Sequence, residues 1–405
     1  MTQPATIMKP IEKSAARNKQ LTTAGYFAAF ITLGLTTASL GPSLPSLAEN
    51  TNTLISQISY LFTARSGGYL IGSWLGGRSY DRRPGHHLLA AMLVAMAISL
   101  ALIPTLSQLW VLMLVLMVVG FAEGAVDVGG NTLLVWLYRR DVGPFMNALH
   151  AFFGVGSLLS PIILALALRL TGSITYGYWA LSLAVIPVIL WIIRLPSPEA
   201  DSATVLSGQE TKAILTRSDI ILIVIICLFF FFYAGAEVSF GGWIYTYALE
   251  TQLADETTAA YLNSAFWGAF TLSRLLSIPL ATRLRPRKMM TIDLAGCLLS
   301  VGIILLWPQS PLALWIGAIG IGASMASIFP TTLSMAERRL NITGQITGWF
   351  FVGASLGGMF LPWLIGQFFE RRGPQVTMSI ILVDLLAVVI VFVALIAKGD
   401  SKQPV

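Results

Sequence analysis

The sequence predicts an all-α integral membrane protein whose twelve transmembrane helices form two halves of six. Of its 405 residues 56% are hydrophobic and only 11% charged, and the mean hydropathy is +0.76, far outside the range of soluble domains. The apolar residues gather into runs of about 20, the length a helix needs to cross roughly 30 Å of hydrocarbon. These runs lack the period-2 alternation of barrel strands, and a helix is the other way to satisfy the backbone in lipid.

Twelve runs begin near residues 22, 56, 87, 109, 143, 177, 219, 257, 288, 311, 341 and 374. The first follows a polar tail, residues 1–21, with no short basic leader and cleavage site, so it reads as a retained span. Span 2, "LFTARSGGYLIGSWLGG", carries Arg65 among apolar neighbours, and the loop after it reads "GGRSYDRRPGH" from Gly76. Span 4 contains "GFAEGAVDVGGNTLL" from Gly120, where Glu123, Asp127 and Asn131 recur every four residues and so form one stripe of a helix. Span 5, "FMNALHAFFGVGS", offers Asn147 and His150, a pair suited to hydrogen-bonding a polyhydroxylated solute or relaying a proton. After span 6 the stretch from Leu195 to Asp219 is polar and contains Pro and Ser, which marks residues 195–218 as a linker between bundles 22–194 and 219–397.

Span 7 carries Glu237 within "YAGAEVSFGGWIYTYA". Gly235, Gly241 and Gly242 there permit a break that would free backbone groups to line a cavity. Tyr233 and Trp243 add aromatic faces for a sugar ring, whereas Tyr245 and Tyr247 suit an interfacial belt. Asn263, Trp267 and Arg274 in span 8, and Gln345 and Trp349 in span 11, are further lining candidates. Span 9 holds Cys297, which like Cys227 of span 7 reads as a small buried hydrophobe. Span 10 supplies "GIGASMASIFPTTLS" from Gly320, which overlays the span 4 stretch with Gly120 on Gly320 and Thr132 on Thr332. At the positions of Glu123, Asp127 and Asn131 it has Ala323, Ser327 and Thr331, so packing alone does not require the carboxylates. Span 12 precedes a second short tail, residues 398–405.

The charge distribution orients the chain. With span 1 running outward, one side collects Lys9, Lys13, Arg17, Lys19, Arg78, Arg82, Arg83, Arg139, Arg140 and most other cations, and the opposite side only Arg169, Arg371 and Arg372. The positive-inside rule then puts both termini in the cytoplasm of a multi-pass protein of the cell's inner, cytoplasmic membrane. The same asymmetry accounts for the net charge of +6 without a nucleic-acid partner. No Cys/His spacing suits a metal, no Gly-rich stretch is followed by a phosphate-loop Lys-Ser/Thr, and no Ser/His/Asp set faces water, so enzymatic chemistry and a resident cofactor are not expected.

Two carboxylates on one stripe repel, and each left charged at bilayer depth costs a few kcal/mol. Arg65 is expected to pair with one of them and leave the other to exchange H⁺ or Na⁺; a closed structural ion pair is the alternative. Glu123, Asp127, Asn131 and a freed carbonyl near Gly129 or Gly130 would be the oxygens for Na⁺.

The loop "GGRSYDRRPGH" resembles the signature of the major facilitator superfamily, with one extra residue before Gly85 and His86 in place of a basic residue. "GAVDVGGNTLL", "MNALHAFFGVGSLLSP" and "GAEVSFGGWIYTYA" resemble the fucose and glucose/galactose permease branch, especially its sodium-dependent glucose transporter-like members. The resemblance implies the major facilitator fold, two pseudo-symmetric bundles, and a gating loop containing Asp81, Arg82 and Gly85. It puts Asp127 where the fucose permease pattern has its proton-coupling carboxylate, with Asn131 matching the Asn that follows it. The acid that precedes the span 1 "LP" turn has no counterpart, since Gly41, Pro42 and Ser43 stand there. The expected function is secondary active transport of a sugar or polyol by a monomer, coupled to H⁺ or Na⁺. Export of amphiphiles, or a non-transporting receptor or scaffold, are the alternatives.

Overall fold

The computed structural model describes residues 8–80, 82–198, 216–340 and 344–400, with side chains from 17 onward except 140, 218, 344, 345 and 398–400. Among these the secondary structure is helical throughout, and twelve spans cross the molecule. Span 1 is a bent pair, Met8–Thr37 and Leu40–Thr51, with 45° between its parts; span 2 is Tyr60–Tyr80, preceded by a single turn at Ile55–Ile58. Spans 3 to 6 are Gly85–Leu102, Leu109–Tyr138, Gly143–Thr171 and Thr175–Ile192. Spans 7 to 9 are Arg217–Glu250, Glu256–Arg283 and Pro286–Leu306. Span 10 is again two pieces, Pro311–Met325 and Ile328–Glu337, and spans 11 and 12 are Gly344–Arg372 and Val376–Asp400. Spans 2 and 8 are long enough, at 21 and 28 residues, but each carries an arginine and is less apolar than the rest.

An even number of spans returns the chain to the side it started from, here called the tail face; the opposite side is the far face. Within the first bundle span 2 lies along span 4, span 1 along span 5 and span 3 along span 6. The second bundle repeats the scheme with span 8 on span 10 and span 7 on span 11. The bundles meet where span 5 packs on span 8 and span 2 on span 11.

Contacts across this seam gather toward the far face. A Cβ on Gly41 would lie 2.8 Å from the Gly241 carbonyl, and Phe62 stacks near Trp243 with centroids 5.9 Å apart. Glu370 accepts the Ile55 N–H at 2.8 Å, and Gln367 Nε2 donates to the Ser56 carbonyl at 2.8 Å. The far side of the seam is closed in this structure.

One sequence expectation fails here. Span 7 is one unbroken helix from Arg217 to Glu250, so its glycines do not break it. They admit neighbours instead: Gly241 faces the Trp267 and Phe266 rings and Gly242 the Phe62 ring, while the missing Cβ of Gly41 in span 1 lets their backbone come close. The breaks lie in spans 1 and 10, each followed within four residues by proline. In span 10 Pro330 has no N–H, so the carbonyl of Ala326 loses the donor an intact helix would supply.

Candidate functional site

Glycine spacing builds the first half of the site. Gly68 and Gly72 of span 2 face Gly120 and Gly124 of span 4, and Cβ atoms added at these four positions would fall 1.8–2.3 Å from carbonyl oxygens of the partner helix. Small residues four apart on both helices let two backbones touch, the general rule for close crossings in membranes. The two helices run in the same direction, so a constant offset of 58 residues puts Arg65 opposite Glu123 and Tyr69 opposite Asp127.

Arg65 and Glu123 close into a two-pronged pair. Nε donates to Oε2 and Nη2 to Oε1, both at 2.8 Å, and Thr37, at the break in span 1, adds a hydrogen bond to Oε1 at 3.1 Å. Glu123 is 1% exposed and sits at the middle of its span. Such a fork satisfies a carboxylate in both charge and geometry.

Asp127, one turn nearer the tail face, takes a different set of partners. The Tyr69 hydroxyl donates to Oδ2, and Asn131 Nδ2 donates to Oδ1 at 2.9 Å and to the Asp127 carbonyl at 2.8 Å. Among the described residues no cation lies within 4.0 Å of it. Asp127 remains partly exposed although it is about 16 Å of helix from the tail-side end, at 1.5 Å per residue. Of the two carboxylates on the stripe, Arg65 takes Glu123. The freed carbonyl expected at Gly129 or Gly130 is missing, because span 4 is continuous there and the Tyr80 and Phe30 rings pack against these glycines.

In the second bundle the break in span 10 organises the polar groups. Tyr233 donates to Glu237 Oε2 and lies 3.1 Å from the Met325 carbonyl; Arg274 Nε donates to the Ala326 carbonyl at 3.2 Å, with its guanidinium 4.6 Å from the Phe270 ring centre. Ser327 donates to Asp293 of span 9. His150 of span 5 stands edge-on to Phe30 and lies within electrostatic reach of Arg274 across the seam, as Glu237 does within the bundle.

Other candidates fall elsewhere. Trp243 is fully buried, stacked on Phe369 and bonded through Nε1 to the Pro362 carbonyl at 3.1 Å; it fills the far-face seam and does not line a cavity. Tyr245 and Tyr247 are buried as well, and form no interfacial belt. Tyr233 is 1% exposed, its hydroxyl already bonded, so it acts through Glu237 rather than as a stacking face. Asn263 is buried and donates to the Gly241 carbonyl at 2.7 Å, a tie between spans 7 and 8. Trp267 is 6% exposed with Nε1 unbonded among the described residues. Asn147 and Trp349 are exposed toward the tail-side ends of spans 5 and 11. Asp81 and the Gln345 side chain lie outside the described residues; Arg82 is exposed, and Gly85 begins span 3 against Leu133.

Tyr69, Thr37, Asp293 and Asp384 escaped the sequence reading. Tyr69 had a signal: its spacing of four from Arg65 copies that of Asp127 from Glu123. Asp384 of span 12 is 4% exposed, and neither carboxyl oxygen has a partner among the described residues.

Comparison with known proteins accords with this geometry. The family model described as Major Facilitator Superfamily matches residues 26–362. The chain is 33% identical over 380 residues to sodium-dependent glucose transporter 1A of Mus musculus, covering 84% of this chain and 88% of that one. Against sodium-dependent glucose transporter 1 of Homo sapiens the identity is 32% over 373 residues, with 84% and 72% covered. Among solved structures, a D-xylose-proton symporter superposes with a TM-score of 0.74 at 13% identity, covering 91% of this chain and 96% of that one. Nucleoside transporter NupG gives 0.70 at 14% identity, with 96% and 100% covered. These two likenesses concern the fold.

Proposed function

The chain belongs to the major facilitator superfamily, a family of transporters rather than enzymes, and from that premise we propose that it moves a sugar or related polyol by alternating access, coupled to H⁺ through Asp127. The observation that carries the coupling is the division of labour on the span 4 stripe. Glu123 is neutralised by Arg65, whereas among the described residues Asp127 has only a phenol and an amide as side-chain partners. A carboxyl so placed gains and loses one proton without disturbing the fork beside it. The sugar assignment is supported by the relatives, whose names specify glucose. The cation bias toward the tail face supports cytoplasmic termini in the cell's cytoplasmic membrane, and the presence of both bundles and their seam in one chain supports a monomer as the transporting unit.

Sodium is the second reading, favoured by the same relatives' names. A Na⁺ site needs several oxygens converging on one point, and around Asp127 the Asn131 amide points its nitrogen inward while span 4 frees no carbonyl. Uptake of labelled glucose into proteoliposomes distinguishes the two. Under proton coupling it collapses with a protonophore at constant sodium and survives replacement of sodium by choline. Loss of uptake on sodium removal alone would reverse the assignment.

A further inference from the structure

The two bundles treat the same pair of residue types in opposite ways. In the first, Arg65 and Glu123 close into a fork at 2.8 Å. In the second, Arg274 and, through Tyr233, Glu237 are tethered to the consecutive carbonyls of Ala326 and Met325, yet stay more than 4.0 Å apart. Each is held from a separate point. Tyr233 occupies Oε2 of Glu237 and reaches the Met325 carbonyl, and Arg274 spends Nε on the Ala326 carbonyl. Both anchors sit at the break in span 10, which thereby sets the gap. Among the described residues Oε1 of Glu237 and both terminal nitrogens of Arg274 have no hydrogen-bond partner, and both side chains are half-buried in mid-span rather than sealed.

We propose that this gap is the part of the solute site that reads a pair of adjacent hydroxyls on a neutral polyol. The inference rests on the sugar reading above and makes it specific. A free carboxylate oxygen offers only acceptance and the free guanidinium prongs offer only donation. A hydroxyl does both: one donates to Oε1 of Glu237 while accepting from Arg274, and its neighbour accepts from the second prong. The planar fork suits two oxygens on adjacent carbons as it suits the two of a carboxylate. A carboxylate-bearing solute would satisfy Arg274 but meet Glu237 as a like charge, and an ammonium-bearing one would meet the reverse. The pair therefore selects for neutrality. Gly154 of span 5 packs against Thr271, three residues before Arg274, which puts the gap on the seam, where a solute passed between two sides must sit.

The test uses the full chain in proteoliposomes, with labelled glucose, the series of singly deoxygenated glucoses, glucuronate and gluconate as competitors. Removal of one of two adjacent hydroxyls should weaken competition about tenfold or more, since a site built to bond a hydroxyl rejects the analogue lacking it; the other positions should be tolerated. Both acids should fail to compete with the natural protein. Glu237→Gln should raise the KM for glucose about tenfold and admit at least one of the acids, a gain that a merely structural role would not produce. Equal tolerance of all deoxy analogues, or a Glu237→Gln protein that still excludes both acids with an unaltered KM, overturns the proposal while leaving sugar transport standing. Should no neutral sugar be taken up at all, the sugar reading falls and this inference with it. The analogue series needs no variant, so a misfolded Glu237→Gln leaves the proposal open to refutation.

Discussion

Gly120→Ala isolates the close crossing on which the whole first half-site depends. The added Cβ would lie 1.8 Å from the Arg65 carbonyl oxygen and 2.7 Å from its carbon, against 3.4 Å for ordinary contact. Neither atom belongs to a flexible side chain, so spans 2 and 4 must part by about 1.6 Å (3.4 minus 1.8). Carried rigidly to the neighbouring fork, that movement stretches Arg65–Glu123 from 2.8 Å to about 4.4 Å, beyond hydrogen-bond range. Overpacking alone costs about 1–3 kcal/mol, and a loosened buried ion pair adds to it. The assay is the thermal midpoint of the detergent-solubilised protein together with glucose uptake, compared with Gly302→Ala in span 9. A Cβ at Gly302 meets nothing within 4 Å, so that variant should be neutral or stabilised by about 0.5–1 kcal/mol through helix propensity. Equal midpoints and uptake for the two variants would refute the claim that backbone contact sets the register of the site.

Asp127→Asn should abolish accumulation against a gradient while solute exchange at equal concentrations persists, because the amide keeps the shape but exchanges no proton; full accumulation would remove Asp127 from coupling. Glu370→Ala removes the acceptor of the Ile55 N–H and so should loosen the far-face seam. With Cys227 and Cys297 replaced and a cysteine introduced at Ser59, labelling by an impermeant maleimide from the far side should rise, and an unaltered rate would mean that the latch is inert. Asp384→Leu should raise the thermal midpoint with uptake intact, since an unpartnered buried polar group costs about 1–3 kcal/mol that an apolar side chain recovers. Loss of uptake in a folded Asp384→Leu protein would instead give that carboxyl a role in transport.

The membrane made much of this protein legible in its sequence, because lipid forces each crossing to be a long apolar helix and penalises each unpaired charge. Span positions, and a partner for Arg65 on the Glu123–Asp127 stripe, followed from those two demands; which of the two carboxylates it takes did not. Glycine was harder to read, since the same residue serves a bend and a close approach, and only the partner helix decides between them. In span 7 the partners of Gly241 and Gly242 are the rings of Trp267, Phe266 and Phe62, and the helix stays whole. Proline was the better signal of discontinuity: Pro330 strips the donor from the Ala326 carbonyl, and Arg274 takes its place. That substitution of a side chain for a backbone donor ties an arginine down by one nitrogen and leaves its fork open, an outcome fixed by the facing of spans 8 and 10 and invisible in either segment alone. The first bundle, whose span 4 is continuous, has no freed carbonyl to hold Arg65 back, and there the arginine closes on its acid. A single break in one repeat thus makes a closed pair on one side of the seam and an open one on the other.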